Sequence, residues 1–226
     1  MKNILAIFAL GLVCWAACTN KTQSMGDQNT PPPSFGTPEE AVQQAKKDLL
    51  EVLRTSPGID LGVDAATAEQ SEPGKPIPHF DVDFNRLMDA DSAATLDQLR
   101  GPAGTTLAPL VVGDKIAVMV EVVKGDKGWQ VAGIGNKEIS EGLNAVAEAT
   151  GAGRGNIQVM NVPNLNATIY AVTTPDGAVS YHTDYAGKFD LRKGVDGRTL
   201  TAVLREDARA FFKEYGDLLK KQELVK

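Results

Sequence analysis

Two groups of side chains in this sequence have the types and spacing to do chemistry. Asp81, Asp83 and Asn85 alternate with Phe80, Val82 and Phe84, and oxygen ligands at every second position are how a calcium loop begins. Asp89 falls on the ninth position of such a loop, but Arg86 stands where the sharp turn needs glycine and Ser92 where a bidentate glutamate belongs. That excludes an EF-hand and leaves only a looser calcium site in this acidic segment. On one strand face Asp81 and Asp83 would also lie about 6.6 Å apart at Cα, a separation that a glycosidase acid–base pair can bridge. Such pairs sit on separate elements flanking a cleft, and no aromatic platform for a sugar stands nearby. Ser180, His182 and Asp184 are the second group, offering nucleophile, base and orienter. Side chains standing parallel on one strand do not converge as a triad does, and no serine sits in a G-x-S-x-G elbow. We therefore expect an exposed polar face, with Val179, Tyr181 and Tyr185 turned to the core.

The glycine-rich segments are weaker. Gly133-Ile134-Gly135 has the place of a dinucleotide fingerprint, but Glu138 occupies the third glycine position and would set negative charge beside a pyrophosphate. Gly151-Ala152-Gly153-Arg154-Gly155 follows a helix and precedes a strand, the reverse of a phosphate loop, and reads as a connection. Trp129, Phe211, Phe212 and Tyr215 have the spacing of packing residues.

The elements that would position these residues follow from periodicity and punctuation. Thr37-Pro38-Glu39-Glu40 opens a helix as a capping box with proline at its first position, and Val42, Ala45, Leu49 and Leu53 form its stripe before Ser56-Pro57-Gly58 ends it. Ile59, Leu61 and Val63 suggest a short edge strand, 65–78 a loop, and 80–85 a half-buried strand. A hairpin is expected from 116–123 and 129–134 around Gly125-Asp126-Lys127-Gly128, then a short helix through Ile139, Leu143 and Val146, weakened by Gly142. Strands follow at 157–160, 165–173 and 178–185, the last two joined at Thr174-Pro175-Asp176-Gly177. A final helix covers 199–220. The expected fold is α+β: an antiparallel sheet with helices on one face, hairpin–helix order occurring twice after an N-terminal helix.

Ahead of this lies an address. Met1-Lys2-Asn3 carries one positive charge, 4–13 is an uncharged, mostly apolar run too short to span a bilayer, and Trp15-Ala16-Ala17 precedes Cys18. This segment resembles a bacterial lipoprotein signal, whose cleavage precedes a lipidated cysteine. Trp15 stands where that family carries an aliphatic residue, and Val13 is too large for Cys14 to be the acceptor. The resemblance implies 1–17 as signal peptide, lipid on Cys18, and 18–36, with its Pro31-Pro32-Pro33, as a disordered tether. Residues 37–226 would be a single α+β domain, with 150–156 the place where two lobes would meet. Thr19, where many enterobacterial lipoproteins retained in the inner membrane have Asp, favours the outer membrane by the same analogy. Asp91-Ser92-Ala93 resembles the Asp-Ser/Thr-aliphatic acceptor of protein O-glycosylation in Bacteroidota.

With Cys14 removed and Cys18 lipidated, the domain would hold no thiol, hence no disulfide, cysteine nucleophile or cysteine-based metal site. His79 and His182 are the chain's two histidines, which excludes a three-histidine metal centre. A formal charge of −6 argues against nucleic acid as partner. No cofactor is expected. The chain reads as a non-enzymatic binding or interaction domain on a membrane anchor, its partner a protein or small molecule. The alternatives are an extracytoplasmic hydrolase using carboxylates near Asp81 and Asp83, and an inhibitor or chaperone of a co-exported enzyme.

Overall fold

Thr37 opens α1 (Pro38–Thr55) as its capping chemistry requires: the hydroxyl oxygen accepts from the Glu40 N–H at 3.2 Å, with Pro38 at the first helical position. The computed structural model describes residues 32–56, 58, 61–101 and 105–221, with side chains to 216. Ala41, Val42, Ala45 and Leu49 are the buried stripe of α1. Leu61 and Val63 lie in irregular backbone, and Ile59 is outside the described residues. The expected 65–78 loop instead contains α2 (Ala65–Gln70), capped by Asp64, and the two-residue strand β1 (Glu72–Pro73). Only Ala68 of α2 is buried, so its six residues carry no readable periodicity.

The expected strand 80–85 is corrected more sharply. β2 (Ile77–Asp81) stops at Asp81, and Asp83 becomes the N-cap of α3 (Phe84–Asp89), its carboxylate accepting from the Arg86 N–H at 3.0 Å. A carboxylate three residues ahead of an unsatisfied helix N–H competes well with strand pairing. The alternation of Phe80, Val82 and Phe84 looked the same in either case.

The remaining strands are β3 (Thr106–Val112), β4 (Lys115–Gly125), β5 (Gly128–Ile134), β6 (Ile157–Val162), β7 (Ala167–Thr173) and β8 (Val179–His182). They form one sheet in the order β5-β4-β3-β2-β6-β7-β8, with β1 also paired to β3. Every pairing is antiparallel except β2 with β6, where His79, Phe80 and Asp81 run alongside Val159, Met160 and Asn161. A parallel pair needs a crossover. α4 (Lys137–Thr150) supplies part of it, carrying the chain from edge strand β5 back to the centre of the sheet. After β8 comes α5 (Gly197–Lys221). None of the described helices is long and apolar enough to cross a membrane.

Helices cover both faces of this sheet, not one. In β6, Ile157 and Val159 pack with Ile139, Leu143 and Val146 of α4, whereas Met160 and Val162 point oppositely, to Leu87 of α3 and Leu200 and Leu204 of α5. In β3, Leu107 joins the α4 core while Ala108 and Leu110 meet α1. One face therefore carries α4, and the other carries α1 with α2 at one end and α3 with α5 at the other. The cause is written in β7, where Ile169, Tyr170, Ala171 and Val172 are all buried. A strand apolar on both sides must be covered on both sides.

Candidate functional site

α4 is seated by Asn136, whose Oδ1 accepts from the Ile139 N–H at 3.1 Å and whose carbonyl takes the Ser140 N–H. From there the helix crosses the sheet close to β7, and Gly142 makes that approach feasible. A Cβ at Gly142 would lie 2.0 Å from the Tyr170 hydroxyl oxygen, so the phenol slots against bare helix backbone.

Beside this contact is a bowl of about 440 Å³, within the range of small-ligand sites. Glu138, Glu141, Gly142 and Ala145 form its α4 wall; Asn166, Thr168 and Tyr170 its floor; Asp184, Tyr185, Ala186 and Leu191 its far rim. Asn166 and Ala186 are the two non-glycine residues at positive φ, +50° and +51°, among the described residues. Asparagine tolerates that region, but for alanine it costs on the order of 1 kcal/mol. Both border the bowl.

Tyr170 is 4% exposed, and its hydroxyl makes no hydrogen bond to the chain. Burial first, then the charges of Asp184 and Glu138, push its ionisation well above the ordinary tyrosine value. It therefore stays a neutral O–H at the floor of the bowl, able to donate and to accept.

Two other polar groups are fully used by the fold. His79, 9% exposed, contacts Thr105 Oγ1 through Nδ1 at 2.6 Å and Asn161 Nδ2 through Nε2 at 2.8 Å. Burial lowers its pKa against the opposing pull of Asp81 and Glu121. The neutral ring thus accepts from Asn161 at Nε2 and donates to Thr105 from Nδ1, leaving Asn161 Oδ1 unpartnered. His182, 2% exposed, is bonded to the Leu191 carbonyl through Nδ1 and to Ser180 Oγ through Nε2, each at 3.1 Å. Ser180 and His182 do converge, against expectation, and they lie under the chain while Val179 is exposed. Asp184 is not with them; it belongs to the bowl. The Gly194 backbone lies against both side chains, and Val195 bridges Tyr181 on both backbone groups. The pair fastens 190–195 to the sheet edge.

The carboxylates singled out by spacing do not come together. Asp81 is exposed at the end of β2, Asp83 is spent as a helix cap, and Asn85 is exposed on α3. Among the described residues no group of three His, Cys, Asp or Glu side chains is placed to hold a metal ion. Gly133 and Ile134 end β5, Gly135, at φ +95°, turns the chain toward α4, and Gly151, at φ +65°, is the left-handed C-cap of α4. Asp91, Ser92 and Ala93 are exposed, with the Ala93 N–H donating to the Asp91 carboxylate. Cys14 and Cys18 lie outside the described residues.

Sequence reasoning missed the bowl because its members come from three separated segments. One signal was available: a glycine on the buried stripe of an amphipathic helix marks close approach of a neighbour. Comparison of the chain with protein-family models, with curated proteins and with solved structures found no match.

Proposed function

We propose that this chain is a cell-envelope lipoprotein, anchored through Cys18, whose folded unit binds a small ligand in the bowl beside α4. The observation that carries the binding reading is the Tyr170 hydroxyl, carried on a residue only 4% exposed, unpartnered within the chain and open to a cavity of ligand size. A polar group that no neighbour in the fold satisfies, at the floor of a ligand-sized bowl, is placed to meet its partner in a bound molecule. The carboxylate pair of the hydrolase reading lies elsewhere, on an exposed strand end and in a helix cap. The anchoring reading rests on the signal-like residues alone.

Two experiments test the two parts. In a host with lipoprotein processing, the native chain should fractionate with membranes and take up labelled acyl chains, and Cys18→Ser should lose the label and be released or remain uncleaved. Normal acylation and processing of Cys18→Ser would move the acceptor to Cys14 or abolish the anchor reading. For the bowl, ¹H–¹⁵N spectra of the full chain in detergent, titrated with a mixed fragment library, should show hits clustering on 138–145, 166–170 and 184–186. Hits that cluster on another surface, or no hits at all, would overturn the binding reading.

A further inference from the structure

Resting on the bowl as a ligand site, we propose that its occupant presents an organic cation, an alkylammonium or guanidinium group on a short carbon chain. The polar lining is all acceptors or neutral hydroxyl and amide groups: the carboxylates of Glu138, Glu141 and Asp184 around Tyr170, Thr168 and Asn166. No lysine or arginine lines it. Among the described residues Glu138 and Asp184 make no ion pair, while Glu141 approaches Lys137 only to 3.9 Å, with both side chains more than half exposed. Such a pair is worth little and leaves the bowl negative.

The unpartnered hydroxyl of the buried Tyr170 side chain is the second, independent observation. Neutral and unpartnered, it can accept from an ammonium or guanidinium N–H at the floor while the carboxylates balance the charge from the walls. Anionic ligands would meet three carboxylates. Of the N–H groups at the start of α4, which favour anions, Asn136 takes those of Ile139 and Ser140. An apolar neutral ligand would push water from the carboxylates without replacing its hydrogen bonds, and a neutral O–H or N–H donor would replace them without balancing the charge. A bare metal ion is disfavoured because three ligating side chains do not converge. The space suits a larger cation, whose carbons would lie on Ala145, Leu191 and the Tyr185 ring.

The test is a charge series of nearly constant shape: butylammonium, butylguanidinium, n-butanol and butyrate, titrated into the full chain in detergent and read from the amides of Gly142, Ala145, Asn166 and Ala186. Both cations should bind at least about tenfold more tightly than butanol, with butyrate the weakest. Asp184→Asn should weaken cation binding about fivefold with its spectrum otherwise preserved. Equal shifts at these amides from butanol and the cations would leave the bowl a ligand site and overturn the cation inference alone. Cation binding insensitive to both Asp184→Asn and Glu138→Gln would overturn it as well. Shifts confined to another surface, or none from any probe, would remove the bowl reading and this inference together.

Discussion

Gly142→Ala should destabilise the fold by about 2 kcal/mol and lower its melting temperature by about 4–8 °C. In an exposed helix interior the same exchange stabilises by about 1 kcal/mol, because glycine loses more backbone entropy than alanine on folding. Here the new methyl would be built 2.0 Å from the hydroxyl oxygen, 2.5 Å from Cζ and 3.0 Å from Cε2 of Tyr170. The ring cannot swing aside cheaply, since it is packed among Ile157, Val159 and Val172. α4 must then lift from the sheet, and Leu143 and Val146, both fully buried, lift with it. A double-mutant cycle isolates this cause: with Tyr170→Ala already present, Gly142→Ala should turn stabilising. Thermal melts of the four proteins give the answer. Gly142→Ala stabilising in the native background would mean that α4 and β7 do not approach as closely as described.

Much of the fold was legible where a local rule had no competitor. Thr37-Pro38-Glu40 marked the start of α1, and the run ending at Gly125 with its return from Gly128 marked the β4–β5 hairpin. Leu200, Leu204 and Ala208 marked α5. What failed was every decision that depends on the other side of the chain. Helices on both faces follow from Ile169 to Val172 being buried on both sides, yet in sequence such a run looks like any apolar strand. Asp83 at a strand position and Asp83 at a helix cap differ only in where Arg86 goes next. Ser180 and His182 were expected to face water, and the segment that buries them arrives a dozen residues later, through Gly194 and Val195.

The bowl was the least legible feature. Glu138, Tyr170 and Asp184 share no motif, and the crossover through α4 brings them together. In the sequence Gly142 is visible only as a residue that weakens a helix. Its position on the buried stripe beside Leu143 is what should have marked it as a contact.

Tyr170→Phe separates a hydroxyl kept for a ligand from one kept for the fold. The residue is 4% exposed and its oxygen has no partner in the chain, so the hydroxyl adds no internal hydrogen bond to the ligand-free protein. Phenylalanine fills the same volume, keeps the ring against Gly142 and breaks no hydrogen bond of the fold. The ligand-free variant should therefore be at least as stable as the native chain, by up to about 1 kcal/mol and about 2–4 °C in melting temperature, while binding butylammonium less tightly. The deciding measurement is the pair of thermal unfolding midpoints, native chain and Tyr170→Phe, in the same detergent without ligand. An equal or higher midpoint for Tyr170→Phe is the predicted result, and a clearly lower one would show that the hydroxyl holds the structure together.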